Sequence, residues 1–187
     1  MKTKQTKGFS TKTIALTGIL LAICIVFQFF KGISPYISGP VVNACIIIAT
    51  FAAGLPSGIV ISILTPVIAY FIGATPILSV IPLMLPVIMV GNAILAIGAW
   101  VYTKNKDSFV KACILLVIFA GLKAAFLGGM VTFVMLPIFG TNIPEAKQAA
   151  MRTMFSSTQL ITALIGIAIS IAVWKLIPSS LKAQIKE

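Results

Sequence analysis

Lys123 is the residue whose type and position most clearly indicate chemistry, because it lies within the apolar run VIFAGLKAAFLGGMVTFVML. An ionised lysine at the centre of a membrane costs about 2.5 to 3.5 kcal/mol, so it needs a partner or a water-filled cavity. None of the apolar runs contains an Asp or Glu that would neutralise it. Its partner is therefore a set of backbone groups, water, or an anionic or carbonyl group of a ligand. We expect contact with a ligand, and structural hydrogen bonding is the alternative.

Four further polar residues are expected to share a cavity with Lys123. Asn92, in the run VIMVGNAILA, offers amide donors and an acceptor to a ligand, or else forms an interhelical hydrogen bond. Gln159 and Asn43 lie near the ends of apolar runs and are expected to form the upper wall of the cavity, unless they are solvated at the membrane interface. Tyr36 is a candidate for stacking on a planar ligand, although anchoring at the interface is the commoner role of such a tyrosine.

The residues needed for most enzymatic and metal chemistry are scarce. There is no histidine, and the three acidic residues are Asp107, Glu145 and Glu187. A carboxylate pair for hydrolysis, a Ser/His/Asp triad and a histidine-built metal site cannot be assembled from this set. The cysteines lack CxxC spacing and lie inside apolar runs, so we expect packing residues rather than disulfides or a zinc site. They are Cys24, Cys45 and Cys113. We predict that the chain is not an enzyme and carries no metal or cofactor.

The composition is that of an integral membrane protein. Of the 187 residues, 59% are hydrophobic and 9% are charged, whereas a soluble domain has about 25% charged residues. The mean hydropathy is +1.14. The formal net charge of +11 lies mainly in short stretches between apolar runs, which indicates membrane topology rather than nucleic-acid binding.

The apolar runs predict an all-α integral membrane protein with six transmembrane helices in a single domain, 1–187. A helix needs about 20 apolar residues to cross the hydrocarbon core. The region 40–73 is divided by GLPSG, and its first half is the weakest span because it is short. The first run is longer than a signal peptide needs and lacks a cleavage site, so we expect it to be retained. After a basic tail over residues 1–12, the expected spans are about 13–30, 40–53, 57–73, 80–102, 110–136 and 155–177.

Charge and small residues complete the expected topology. With six spans, most Lys and Arg residues fall on one side with both termini, which predicts that the N- and C-termini are cytoplasmic. The outer connections 31–39 and 137–154 are rich in Gly, Pro and small polar residues, and they are either lids over a site or plain surface loops. Ala15, Gly18 and Ala22 lie on one face of span one, where a flat surface lets another helix approach closely.

The chain resembles the S components, the substrate-binding subunits, of energy-coupling-factor (ECF) transporters. The segments that carry the resemblance, over nearly the whole chain, are ALTGILLAI in span one, GPVVNA at the start of span two, SGIVISILTPVIAYFIG in span three, and IMVGNAIL and GLKAAF in spans four and five. The resemblance implies a prokaryotic plasma-membrane protein that binds a vitamin or related micronutrient from outside the cell. It implies docking onto a transmembrane coupling subunit driven by two cytoplasmic ATPases, with Ala15, Gly18 and Ala22 at the contact. It also implies a pocket lined by the first outer loop and spans four to six.

Under this interpretation the chain is the binding subunit of an ATP-driven importer. It has no GxxxxGK[ST] motif, so ATP is expected to be used by partner subunits. Lys123 is expected to pair with an acid or carbonyl group of the ligand, such as pantothenate, nicotinate or a flavin, and Asn92 with a polar edge. The expected apolar walls are Met84, Met89, Phe126 and Met130.

Two alternative functions are weighed against this one. The first is a self-sufficient secondary transporter or facilitator, which is disfavoured because no membrane carboxylate is present to carry a coupling proton and no inverted repeat is evident. The second is a structural subunit of a larger membrane complex, in which Lys123 and Asn92 only bond neighbouring helices.

Overall fold

The computed structural model describes residues 10–74, 76–104 and 109–178, together with Ser180 and Lys182. Every regular element in this part of the chain is helical. The predicted basic tail lies outside the described residues over positions 1–9, as do Asp107 and Glu187.

Nine α-helices follow one another along the chain. In order they are α1 (Thr11–Gln28), α2 (Pro35–Ala53), α3 (Leu55–Phe71), α4 (Pro76–Val80), α5 (Met84–Lys104), α6 (Phe109–Met130), α7 (Leu136–Phe139), α8 (Glu145–Phe155) and α9 (Ser157–Leu176) among the described residues. A π-helical turn, Val131–Met135, joins α6 to α7, and a 3₁₀ turn, Gly140–Asn142, follows α7.

The helices confirm the predicted all-helical membrane architecture. In the described part of the chain, five helical segments are long and apolar enough to cross a membrane: Thr11–Gln28, Pro35–Ala53, Met84–Lys104, Phe109–Asn142 and Glu145–Leu176. The shorter apolar helix α3, with 17 residues, makes the sixth. The side of the membrane on which the termini lie stays a prediction.

The second helix begins at Pro35 rather than at residue 40, which corrects the expected start of span two. The Ser34 hydroxyl accepts a hydrogen bond from the Tyr36 backbone N–H at 3.2 Å, and proline fits the first helical turn because it has no N–H to leave unpaired. With 19 residues, α2 is longer than α3, so the span expected to be weakest reaches membrane length.

The predicted turn inside the region 40–73 is present. Gly54 ends α2 and precedes α3 with a φ of 86°, a left-handed conformation that glycine adopts without strain from a Cβ atom. Pro56 occupies the first turn of α3. A single residue therefore reverses the chain between the two helices.

Two connections contain helices that the sequence did not predict. The fourth long helix starts at Met84 rather than near residue 80, because the short helix α4 ends at Val80 before it. The connection expected over 137–154 contains α8, which ends at Phe155 and is followed by Ser156, where φ is −111° and ψ is −90°. The change of direction at Ser156 separates α8 from α9.

Helix α2 lies at the centre of the bundle and packs against α1, α3, α5 and α9. It approaches α9 closely, since a Cβ atom added at Gly166 would lie 2.9 Å from the Pro40 carbonyl oxygen and 2.7 Å from the Asn43 Cβ. Helix α1 is more peripheral, and α6 is held by α5 and α9. This arrangement places the polar residues of α2 opposite those of α6 and α9.

Candidate ligand-binding cavity

One cavity of about 70 Å³ lies between the helices around α2. Its polar lining consists of Gln28, Lys31, Ser38, Asn43, Thr65, Asn92, Lys123, Thr158, Gln159 and Thr162. Its apolar lining consists of Pro35, Gly39, Val42, Pro66, Ala69, Leu78, Ile88, Met154 and Phe155. These residues come from most of the helices of the bundle, so the cavity is a product of the whole fold.

Lys123 lies in the second half of α6 and is only 1% exposed. Its Nζ donates a hydrogen bond to Oδ1 of Asn43 on α2, at 2.5 Å. An ammonium group has three donors, and a neutral amide oxygen cannot cancel its charge. Lys123 thus forms an interhelical hydrogen bond, as expected if its role is structural. It also lines the cavity, as expected if it contacts a ligand.

The Asn43 amide is fixed by partners on two sides. Asn43 is 2% exposed, and its Nδ2 donates to the Thr162 Oγ1 on α9 at 3.5 Å. The Thr162 hydroxyl in turn donates to the Gln159 backbone carbonyl at 3.2 Å. This chain of hydrogen bonds holds Oδ1 of Asn43 toward Lys123 and thereby fixes the position of the ammonium group.

Asn92 and Gln159 also line the cavity, as the sequence predicted. Asn92 lies on α5 and is 5% exposed. The neighbouring Gly91 allows α6 to approach, since a Cβ atom there would lie 2.8 Å from the Leu127 side chain. The structure therefore brings Asn43, Asn92, Lys123 and Gln159 together around one space.

Tyr36 does not line the cavity. It is 50% exposed, and its hydroxyl lies 3.4 Å from the Oγ1 of Thr158, which does line it. Because α2 begins at Pro35, Tyr36 belongs to the first turn of a helix and not to a loop over the cavity. This position therefore does not support the predicted stacking of Tyr36 on a ligand in the cavity.

The apolar lining of the cavity differs from the predicted walls. None of Met84, Met89, Phe126 and Met130 lines the cavity. Met84 is fully buried in an apolar cluster, against which Phe126 and Met130 pack, and this cluster shares Leu78 and Phe155 with the cavity lining. On α5 the cavity face carries Ile88 and Asn92, one helical turn apart. Met154 and Phe155, at the end of the unexpected helix α8, supply another part of the wall.

Lys31 is a cavity residue that the sequence analysis treated only as a loop charge. It follows α1, is half-buried and lines the same cavity as Lys123. Burial lowers the pKa of the Lys31 ammonium from 10.5 to about 8. The available sequence signal was its isolation, since few basic residues fall in the predicted outer connections.

Gln28 and Ser38 were also missed, and both carry buried polar atoms without a partner in the described part of the chain. These atoms are the Gln28 Oε1, at the end of α1, and the Ser38 Oγ, on α2. Both residues line the cavity. A buried polar atom without a hydrogen bond costs about 1 to 3 kcal/mol, so such atoms indicate where a ligand or water completes the structure.

The cavity has a positive electrostatic character. Lys31 and Lys123 both line it, and none of its described lining residues is acidic. Amide and hydroxyl groups supply the remaining polar surface. Such a lining suits a small molecule that carries a negative or partly negative group and further hydrogen-bonding atoms.

The predicted docking residues lie away from the cavity. Ala15, Gly18 and Ala22 are exposed on α1, and a Cβ atom added at Gly18 would meet nothing within 4 Å. The stripe is thus open to a neighbouring helix, and contact with a partner subunit remains a prediction.

Comparison with known families gives a match over most of the chain. The model of the family "ECF transporter, substrate-specific component" matches residues 12–178. No curated protein and no solved structure matches the chain.

Proposed function

Since the chain belongs to the substrate-specific components of ECF transporters, we propose that it captures a vitamin-like micronutrient with an acid or carbonyl group in the cavity around Lys123. The family is the binding component of a transporter in the prokaryotic cell membrane, which agrees with the long apolar helices. The proposed role is binding without covalent chemistry.

The observation that carries the proposal is the buried ammonium group of Lys123. Its hydrogen-bond acceptor is the neutral amide of Asn43, and the described residues that line the cavity include no acidic side chain. Its positive charge is therefore not cancelled within the cavity. A carboxylate or carbonyl oxygen of a ligand would supply a second, charge-assisted hydrogen bond, which is stronger than a bond between neutral groups. Asn92 and Gln159 would form hydrogen bonds with the polar edges of the same molecule.

Transport by this protein is proposed to depend on partner subunits. A transmembrane coupling subunit would contact the exposed stripe Ala15, Gly18 and Ala22, where small side chains permit close helix packing. Two cytoplasmic ATPases would supply the energy, because the sequence has no phosphate-binding GxxxxGK[ST] loop of its own.

The hydrogen bond from Lys123 to Asn43 is the observation that favours the structural alternative. A purely structural bond accounts for Lys123 and Asn43, but the unpartnered atoms of Gln28 and Ser38 at the cavity would then need water as their partner. Ligand binding accounts for both sets of residues.

Native mass spectrometry of the detergent-purified protein tests the proposal. We expect a co-purified small molecule on the wild-type protein, lost from the Lys123→Ala variant and retained by Lys147→Ala, which removes an exposed lysine of α8 outside the cavity. A wild-type protein that holds no small molecule, even after incubation with a panel of vitamins, would refute the proposed function.

A further inference from the structure

Two lysines from distant parts of the chain border one cavity. Lys31 belongs to the connection between α1 and α2, and Lys123 belongs to α6. The two ammonium groups repel each other, and within the described lining no carboxylate separates them. Like charges in a partly buried space are stabilised when an anion lies between them.

The Lys31 ammonium group has a further property that points to a ligand. Within residues 10–74, 76–104 and 109–178 it has no hydrogen bond or ion pair through its side chain. Lys123, by contrast, is anchored to Asn43. The cavity thus has one fixed cation and one cation whose hydrogen-bond donors are all available.

We propose that Lys31 is a specificity-determining residue of this cavity, which together with Lys123 holds the negatively charged group of a small organic acid. This inference rests on the proposed function and narrows its ligand from an acid or carbonyl compound to an anion. A carbonyl compound without charge would satisfy Lys123 but would leave the repulsion between the two lysines in place. A cationic ligand would add to that repulsion.

The unpartnered atoms define the rest of the ligand. The Gln28 Oε1 is an acceptor only, so a ligand that contacts it directly would offer an O–H or N–H donor. The Ser38 hydroxyl can donate or accept. A positively charged donor is disfavoured beside two lysines, so the donor is a neutral hydroxyl or amide. The ligand class is therefore an organic anion with a neutral hydrogen-bond donor.

The volume of the cavity favours a small anion. A water molecule needs roughly 10 to 15 Å³ by the same measure, so about 70 Å³ holds only a few water-sized groups. A single ring or short chain with one acidic group fits this space better than a flavin does. The structure thus favours the smaller acids among the ligands considered.

The experiment uses the full-length protein, a small-molecule fraction of yeast extract below about 1 kDa as the probe, and mass spectrometry of the molecules that the protein retains. The variants are Lys31→Gln, Lys123→Gln and Lys31→Arg, and Lys147→Gln is the matched control because Lys147 is exposed outside the cavity. We expect the wild type to enrich an organic acid. Loss of one charge-assisted hydrogen bond is expected to weaken its retention by about tenfold to a hundredfold in each glutamine variant. Lys31→Arg and Lys147→Gln are expected to retain it.

Each other outcome overturns a defined part of the inference. If the enriched molecule is an uncharged carbonyl compound, or if Lys31→Gln retains an acid as well as the wild type does, the role of Lys31 is refuted while the proposed function stands. If the enriched molecule has neither an acid nor a carbonyl group, both proposals fail. If the wild type enriches nothing, the proposed function itself fails, and the role of Lys31 fails with it.

Discussion

Asn43 determines how much of the Lys123 charge is available to a ligand. Its amide oxygen accepts from the lysine without neutralising it, and its Nδ2 is bonded to Thr162. A carboxylate at the same position would keep the hydrogen bond and cancel the charge. The difference between an amide and a carboxylate here separates a structural role of Lys123 from a ligand-binding role.

We predict that Asn43→Asp folds normally but binds its anionic ligand at least about tenfold more weakly, since the introduced carboxylate competes with the ligand for Lys123. Asn43→Ala is expected to lower the free energy of unfolding by about 1.5 to 3 kcal/mol, because a hydrogen bond to a buried charged group is lost. Thermal unfolding in detergent and ligand titration measure the two effects. Unchanged affinity in Asn43→Asp would show that Lys123 does not contact the ligand.

The second residue-scale prediction concerns pH. Lys31 is charged below its pKa of about 8 and neutral above it, and the other charged group on the described cavity lining is Lys123. Affinity for an anion is therefore expected to be full near pH 7 and to fall as the pH rises through about 8. In Lys31→Arg this fall is expected to disappear, because the guanidinium group stays protonated throughout this pH range. Ligand titration across this pH range tests it, and an identical pH profile in both proteins would contradict it.

At the scale of secondary-structure elements, the packing of α9 against α2 determines where the cavity lies. Gly166 permits this contact, since a Cβ atom there would press on the Pro40 carbonyl and on Asn43. Asn43 and Thr162, which hold Lys123 in place, belong to these two helices. Separation of the helices would therefore affect the site as well as the fold.

We predict that Gly166→Ala lowers the free energy of unfolding by about 1 to 3 kcal/mol, the usual cost of overpacking. Gly129→Ala is the matched control, because nothing lies within 4 Å of a Cβ atom at that helical position. It is expected to leave stability unchanged or to raise it slightly. Equal thermal stability of the two variants in detergent would show that α9 moves aside without cost.

The elements were largely predictable from sequence, and their pairing was not. Apolar runs of membrane length locate the six long helices, and the polar residue inside such a run singles out Lys123. No periodicity indicates that Asn43 bonds a residue 80 positions later. Lys31 and Gln28 were missed because a lysine and a glutamine at the end of a span are ordinary interfacial residues until the fold closes a cavity over them. The start of α2 was missed because Pro35, Gly39 and Pro40 are typical of loops.

At the scale of the whole molecule, the cavity and the exposed stripe on α1 are separate surfaces. The cavity lining does not include Ala15, Gly18 or Ala22. A change in the stripe is therefore expected to alter assembly with partner subunits without altering the affinity for the ligand.

We predict that Gly18→Leu abolishes ATP-driven uptake in vesicles that contain the coupling subunit and both ATPases, while ligand binding by the isolated protein stays within about twofold of wild type. The added side chain would hold a neighbouring helix away from α1. Gly121→Leu is the control, because it makes the same change at an open position of α6. Uptake by Gly18→Leu at the wild-type rate would exclude this stripe from the coupling interface.

The bond between Lys123 and Asn43 also has a consequence for biosynthesis. Helix α2 leaves the ribosome before α6, so the acceptor for Lys123 is already made when the charged helix reaches the membrane. The cost of inserting Lys123, about 2.5 to 3.5 kcal/mol, is expected to be lower when the amide of Asn43 is already in place to accept its hydrogen bond. A truncated chain that lacks α2 would have to insert α6 without this partner. Asn43 is therefore expected to assist the insertion of a helix that is synthesised later in the same chain.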